Sequence, residues 1–513
     1  ASDKIHPRAR LRSGKSARGA PPPAETGVFA IQLIEDPAAN QETLDLIASF
    51  TAHPLKRNQV MRQYRNIIAE LGSEVLDIIA AQPDVISITP YIEPKLRDER
   101  QGQIVAGNLT NGLPTGPGYL TWLNSMGFSQ EQFDASGFVV NVSDSGIDNG
   151  STAPGHFGLY PTGDTSLASR VVYNRLEGTP NSGSTLAGCD GHGTINAHII
   201  GGYNNLTGFP HADNEGYRFG LGIAPYVKIG SSVIFDPNGF TFPNYSDLIS
   251  RAYEDGARIS SDSWGADTFG GYDINAQEYD ALVRDAQPSD AAEPAAGNQE
   301  MTIIFAAGNS GPIAGTIGSP GTAKNVITVG ASENVQSHAI AQGGSSATGD
   351  DGCATPDSEV NNANDIAPFS ARGPCEDDRK KPELVAPGTH ITGGVAQQSP
   401  RPSITSTGAA RACFTASGVC ALPGGGTAGD EENFFPLGQQ FYTTSSGTSH
   451  ATPAVAGGAA LLRQYFINQG RNAPSPAMVK ACLINAARYM TGVSANDSLW
   501  SNSQGMGSLS LEA

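Results

Sequence analysis

The sequence predicts an α/β protein, a large unit built on a parallel β-sheet flanked by helices, with a small α+β unit before it. Three observations carry this. From about residue 107, short apolar runs (Phe138–Val142, Val227–Ile234, Ile303–Ala307, Val326–Gly330) alternate with small-residue helical stretches (Ile195–Gly202, Tyr245–Gly256, and the run after Ser449). Apolar runs without polar alternation fit strands covered on both faces, as in a parallel sheet. Residues 26 to about 95 follow a different rhythm, β-α-β-β-α-β. The chain of 513 residues, 38% hydrophobic with 62 Gly and 34 Pro, is longer than one ordinary domain and rich in loops.

In the small unit, Val28–Ile34 reads as a strand, Gln41–Phe50 as a helix and Gln59–Leu71 as a hairpin. A helix over Ser73–Ala81 with Ser73 as N-cap and a strand over Val85–Ile92 complete the order of a ferredoxin-like sandwich. Residues 1–25 carry Lys4, Arg8, Arg10, Arg12, Lys15 and Arg18 and end near Pro21-Pro22-Pro23, the composition of a disordered leader. The expected domains are therefore the leader 1–25, a small domain 26–106 and a large domain 107–513. Two Gly-, Ser-, Asp- and Asn-rich stretches, near 333–367 and 393–435, read as surface insertions.

Net charge is −19 although the leader is basic, so the body of the protein is strongly acidic. Binding nucleic acid requires a basic face, and the composition argues against it. No run approaches the roughly 18–20 apolar residues of a membrane-spanning helix. The chain opens without a hydrophobic leader, as expected of a secreted protein whose signal peptide has been removed.

Of the six cysteines, Cys353 with Cys375 and Cys413 with Cys420 bracket local segments and are expected to pair as disulfides. Cys482 lies in a helical run and reads as a buried thiol. Cys189 has no second ligand at zinc spacing and reads as structural.

Three motifs carry the chemistry. Gly447-Thr448-Ser449-His450-Ala451-Thr452-Pro453 leads into an apolar helix, placing a hydroxyl where free N–H groups and the helix dipole face an incoming substrate. Asp144-Ser145-Gly146 ends a strand, and Gly191-His192-Gly193-Thr194 opens a helix. Alone, each reads equally as a turn or a core residue. In the order Asp, His, Ser, with Ala306-Ala307-Gly308-Asn309-Ser310-Gly311 between the last two, they resemble the subtilisin-like serine peptidases, the subtilases. Leu221–Pro225, Phe369–Pro374, Lys381–Gly388 and Gln504–Gly507 are similar to further segments of that family, so the resemblance covers roughly residues 115–513. Sedolisin-like peptidases share a Gly-Thr-Ser motif, but they use Glu in the role of His192.

The resemblance implies a subtilisin-like parallel sheet and, for residues 26–106, an inhibitor I9-type propeptide-like domain acting as intramolecular chaperone and inhibitor. Its tail is Glu93–Gly107; either processing falls near residues 95–107 or the unit stays attached to the mature enzyme. The implied catalytic residues are Asp144, His192 and Ser449, with Asn309 supplying an N–H to the oxyanion. Ser263, Trp264, Gly265, Ala306, Ala307, Gly308 and Gly318 are implied to bind substrate. Trp264 either narrows the pocket rim or packs on the surface. Gly318 as floor, with no acidic residue among these segments, points to a large apolar side chain before the cleaved bond. Ser263-Trp264-Gly265-Ala266-Asp267 is also similar to kexin-like members, which cut after basic residues, and Asp262 or Asp267 would matter in that reading. His198 and His450 stand where the family usually carries Gly and Met and read as packing variants.

The chemistry needs no cofactor. Family members often carry structural calcium, and Asn204-Asn205 with Asp213-Asn214-Glu215 is where it would lie; solvated loop carboxylates are the plainer reading. The expected function is a secreted serine endopeptidase acting on protein or peptide substrates. Its rivals are a non-catalytic scaffold of the same fold and a processing protease with one partner. His192 must be neutral to act as base, so activity is expected to rise with pH through a group titrating roughly near 6 to 7.

Overall fold

The alternation of apolar and polar residues in Phe29, Ile31 and Leu33 buries one face of a strand, and the same period recurs at Ile67, Ala69 and Leu71. In the computed structural model these belong to β1 (Thr26–Ile34) and β3 (Tyr64–Gly72) of a four-stranded antiparallel sheet. With β2 (Arg57–Met61) and β4 (Val85–Pro90) its order is β2-β3-β1-β4. Ile47 of the helix Pro37–Phe50 and Ile79 of the helix Leu76–Ala80 join the same core. Ser73 is not an N-cap: Ser73–Val75 forms a 3₁₀ turn that precedes the helix, without a side-chain cap. Ile5, placed by sequence in a disordered leader, is buried in this core and bridges Ile88.

The structure describes residues 4–5, 26–90 and 99–512, apart from 52, 56, 62–63, 237–238, 340–347, 401–404, 415–433 and 496. The chain divides into two units, 1–95 and 96–513. This corrects the expected boundary at 106. The helix Arg100–Val105 is buried along its whole length in the second unit, where Gln101 Nε2 donates to the carbonyls of Pro387 (2.9 Å) and His450 (3.1 Å). Such polar anchoring leaves no periodic signal in a sequence. The first part of the expected processing tail, residues 93–98, lies outside the described residues.

After that helix comes a short hairpin, β5 (Leu109–Thr110) and β6 (Leu113–Pro114). The centre of the second unit is a seven-stranded sheet formed by β7 (Val139–Asp144), β8 (Val171–Leu176), β9 (Lys228–Val233), β10 (Ala257–Asp262), β11 (Thr302–Ala306), β12 (Ile327–Ser332) and β13 (Leu384–Pro387). All neighbours are parallel, in the order β13-β12-β11-β10-β7-β9-β8. Every residue of β7, β11 and β12 is buried, the polar Asn141, Ser143, Asp144, Thr328 and Ser332 included. On one face, Val140 and Val142 pack with the helices His192–Gly201 and Thr448–Asn468; on the other, Val139 packs with Tyr245–Glu254 and Ile274–Arg284.

The first insertion leaves and rejoins the end of β12, where Ser332 bridges Ile366. Gly393 and Gly394 belong to β14 (Ile391–Gly394), which pairs with β15 (Tyr442–Ser445), so the second insertion starts after them. Both disulfide expectations need correction. Cys375 is a free thiol buried in the turn its backbone makes with Arg379, while Cys353 is disulfide-bonded behind β15, with Ser446 N 3.3 Å from its Sγ. Cys413 is also free; Cys420 lies outside the described residues. Closeness along a loop did not place these sulfurs together. Cys482 is free and half-buried. Among the described residues no helix is long and apolar enough to cross a membrane.

Two glycines set how closely the helix His192–Gly201 approaches the end of β7. A β-carbon on Gly193 would lie 2.3 Å from Gly146 O, and one on Gly146, which has φ +104°, would lie 2.6 Å from Leu186 O. Both neighbours are backbone and cannot swing away. Gly193→Ala is therefore expected to destabilise the second unit by about 1–3 kcal/mol and to part His192 from Asp144. Thermal unfolding of the variant checks this, and an unchanged melting temperature would refute the close-packing argument.

Candidate active site

Asp144 closes β7 at the centre of the sheet with 3% of its surface exposed. Its Oδ1 accepts from His192 Nδ1 (2.8 Å) and Ser145 N (2.7 Å), and its Oδ2 from Asn196 Nδ2 (3.0 Å). Burial alone would raise its pKa; the His192 charge and the hydrogen bonds from His192, Asn196 and Ser145 together hold it below the usual carboxylate range.

His192 opens its helix after Gly191, whose φ of 86° is the left-handed turn that aims the ring back at β7. Asp190 supports the turn, accepting from His192 N (3.1 Å) and from Ser145 Oγ (2.5 Å), which in turn accepts from Gly193 N (3.0 Å). Burial disfavours the imidazolium, but the charge and hydrogen bond of Asp144 and the charge of Asp190 prevail and push His192 up to about 9. The expected titration near 6 to 7 is thus displaced upward, because Asp190 adds a second carboxylate that the motif does not disclose.

Ser449 is the second residue of the helix Thr448–Asn468. Its hydroxyl donates to the Ser263 carbonyl (3.2 Å), and Ser263 Oγ donates to the Ser449 carbonyl (2.7 Å). The ring of the next residue, His450, lies 5.6 Å from that of His192, centroid to centroid. Asn309 follows β11 and has its Oδ1 pinned by Thr448 N and Thr448 Oγ, both at 2.9 Å. The amide is thereby oriented with Nδ2 outward. A β-carbon placed on Gly447 would sit 3.5 Å from Asn309 Nδ2 and 3.6 Å from Ser449 N, so these two donors converge on the space that glycine leaves open.

Ser263, Trp264, Gly265, Ala306, Ala307, Gly308 and Gly318 line one cavity of about 330 Å³ together with Asn309 and Ser449. The sheet accounts for this: β10 and β11 are neighbours, and their carboxyl ends deliver both walls to the same edge. Trp264 both lines the cavity and packs underneath it, stacked on Tyr245 (5.7 Å) and edge-on to Phe305 (5.3 Å). The expectation of a pocket without acidic residues is overturned. Asp267 lines the cavity from an exposed position and accepts from Ser310 Oγ (3.1 Å). Asp262 is instead the last residue of β10 and buried, and burial pushes its carboxyl up to about 7.

Sequence reasoning missed Asn196 and Asp190 and left Asp267 outside the apolar pocket. Asn196 had a signal, since a residue four positions after His192 on one helix shares its face. Asp267 had only its place four residues after Ser263.

Two of the residues suggested for calcium, Asp213 and Asn204, are engaged with protein groups. Asp213 Oδ1 accepts from Glu215 N and Tyr217 N, and its Oδ2 faces Arg100 at 3.7 Å. Asn204 turns its Nδ2 toward three oxygens, those of His211, Phe219 and Tyr442. Among the described residues no three His, Cys, Asp or Glu side chains gather as a metal site.

The chain is 26% identical over 424 residues, 69% of its length, to the serine protease/ABC transporter B family protein tagD of Dictyostelium discoideum, of which it covers 20%. It is 32% identical over 164 residues to the serine protease AprX of Bacillus subtilis, a match that covers 32% of this chain and 26% of AprX. The chain thus spans about a fifth of the length of tagD and about a quarter of that of AprX. Among solved structures, fervidolysin from Fervidobacterium pennivorans, a keratinolytic enzyme related to subtilisin, matches 95% of this chain and 60% of its own at 18% identity and a TM-score of 0.43. The model of the subtilase family matches residues 135–507, and the chain belongs to that family.

Proposed function

We propose that the protein is a secreted serine endopeptidase that cleaves peptide bonds through an acyl-enzyme on Ser449. The observation that carries this reading is the convergence of three arrangements at one edge of the parallel sheet: the Asp144–His192 pair, the Ser449 hydroxyl, and the two donors facing the gap at Gly447. Rotation about the Ser449 Cα–Cβ bond turns the hydroxyl from Ser263 O to His192, which takes its proton as Oγ attacks the carbonyl carbon. Asp144 keeps Nδ1 of His192 protonated, leaving Nε2 as the base, and stabilises the imidazolium. The carbonyl oxygen, now an anion, is held by Asn309 Nδ2 and Ser449 N. His192 then protonates the leaving amine, and water repeats the sequence to free the enzyme.

The first unit is proposed to act as intramolecular chaperone and inhibitor. Because the helix Arg100–Val105 is buried in the second unit, the proposed cut that would release the first unit lies before Glu99.

For the residue before the cleaved bond, the reading is a large apolar side chain over the Gly318 floor. A second reading, cleavage after Arg or Lys, is favoured by Asp267. Magnitudes decide between them: an exposed ion pair contributes roughly 0.2–1 kcal/mol, whereas burying a large apolar side chain contributes about 1.5–3 kcal/mol.

Ser449→Ala is expected to abolish hydrolysis of unfolded casein, labelling by a fluorophosphonate and any processing before Glu99, with unchanged thermal unfolding. An unlabelled wild-type chain would instead favour a scaffold of the same fold. Since the base form of His192 grows as protons leave, kcat/KM should climb as pH rises from 7 to 10, with its midpoint close to 9; a plateau reached by pH 7 contradicts the assignment. Asn309→Ala is expected to lower kcat by about 10²- to 10³-fold, the loss that follows when subtilisin itself is deprived of its oxyanion-binding asparagine, and Gly447→Ala to do the same by filling the gap between the donors. Losses confined to KM would show that the gap holds no oxyanion. Finally, matched peptides ending in Phe, Leu and Arg should be cut in favour of Phe and Leu, with Asp267→Asn affecting only Arg; a higher kcat/KM for Arg promotes the second reading.

A further inference from the structure

His450 is buried, with 1% of its surface exposed, and both of its ring nitrogens are engaged. Nδ1 lies 2.9 Å from Asn196 Oδ1, and Nε2 lies 2.6 Å from Ser445 Oγ. Asn196 in turn reaches Asp144 Oδ2 with its Nδ2, at 3.0 Å. The direction of every bond in this chain is dictated. An ionised carboxylate only accepts, so Asn196 must present its NH₂ to Asp144. Its carbonyl oxygen, which also only accepts, then faces His450, so Nδ1 of His450 must carry hydrogen. Nε2 is left as an acceptor, and the Ser445 hydroxyl donates to it. Burial and the neighbouring His192 charge push His450 down to about 3, which leaves the ring neutral with the single proton this chain requires.

We propose that Ser445, His450 and Asn196 form a positioning relay in which His450 locks the Asn196 amide in the one orientation that donates to Asp144 Oδ2. The inference rests on the reading of Asp144 and His192 as the acid–base pair and adds residues that act through it. If the Asn196 amide were reversed, its oxygen would face a carboxylate oxygen, a repulsive contact in a site closed to water. With Asn196 in place, Oδ2 is satisfied and Oδ1 remains for His192 and Ser145, which fixes the carboxylate plane. The far end of the relay is also held: Ser445 Oγ lies 3.5 Å from the Sγ of the disulfide-bonded Cys353, in the first insertion. The relay therefore ties the back of the nucleophile turn to the pair in front of it.

Histidine-selective NMR labelling tests this without relying on turnover. The titratable groups facing His192 are Asp144, Asp190 and His450. Losing the donor at Oδ2 concentrates negative charge on the oxygen that holds His192, so its titration midpoint should rise. Asn196→Val and His450→Met are expected to raise it by about one pH unit, the size of one hydrogen bond to a charged group, and to lower kcat about tenfold with KM nearly unchanged. His450→Asn places an amide NH₂ where Nδ1–H stood and should return both towards wild type. Because His450 acts only through Asn196, the double variant should be no worse than Asn196→Val alone. An unmoved His192 midpoint in folded Asn196→Val protein overturns the relay, as does a double variant whose losses multiply. If the midpoint shifts but the wild-type chain is not labelled by a fluorophosphonate, the relay stands and the hydrolytic reading falls.

Discussion

A carboxylate with 3% of its surface exposed, Asp144, is the constraint on which the larger unit depends. A charge taken out of water costs several kcal/mol unless partners surround it. Here the partners come from different places: Ser145 from the same turn, His192 and Asn196 from the following helix. Bringing that helix within hydrogen-bond reach forces its first turn against the end of β7, which is why Gly146 and Gly193 meet with no room for a side chain. One requirement, satisfying a buried charge, thus dictates the glycines, the turn at Gly191 and the support from Asp190 beneath it.

The parallel sheet supplies the rest by geometry. Since β7, β10 and β11 are adjacent and run the same way, Asp144, Ser263 and Ala306 emerge at one edge, although they are far apart in sequence. The helix Thr448–Asn468 then packs across one face of the sheet, so that its amino-terminal turn arrives at the same edge. Of its first N–H groups, that of Thr448 is taken by Asn309 Oδ1, while that of Ser449 faces the gap at Gly447. The insertion at 333–367 also reaches this region. Asp351 accepts from Ser446 Oγ and Cys353 touches Ser446 N, which braces the turn that leads to Ser449.

The electrostatics of the site follow from burial more than from net charge. Two carboxylates beside His192 raise it, while His450, a short distance away, is lowered by burial and by the charge of His192. Two imidazoles in one site are thereby driven in opposite directions, one suited to carrying a proton and the other to staying neutral. This separation is the physical basis for giving them different roles.

Much of this was legible in the sequence. Fold class was, because strands covered on both faces are largely apolar, as Val139, Val140 and Val142 of β7 and Ile303, Ile304 and Phe305 of β11 are. The ferredoxin-like strand order was, because one face of β1 and β3 alternates. The motifs around Asp144, His192, Asn309 and Ser449 were, because a serine at one helix start and a histidine at another leave local marks. Interactions between distant segments were not. The boundary at residue 95 depends on Gln101 reaching Pro387 and His450, the bonding of Cys353 on where an insertion folds back, and the acidic lining of the cavity on Asp267 turning toward Ser310. His450 read as a packing variant since its partners, Asn196 and Ser445, lie on different elements. Local pattern decides what each segment becomes, because periodicity and turn chemistry act over a few residues. Only tertiary structure decided which polar atoms meet, because hydrogen bonds and charge shifts are settled by distances of about 3 Å between residues hundreds of positions apart.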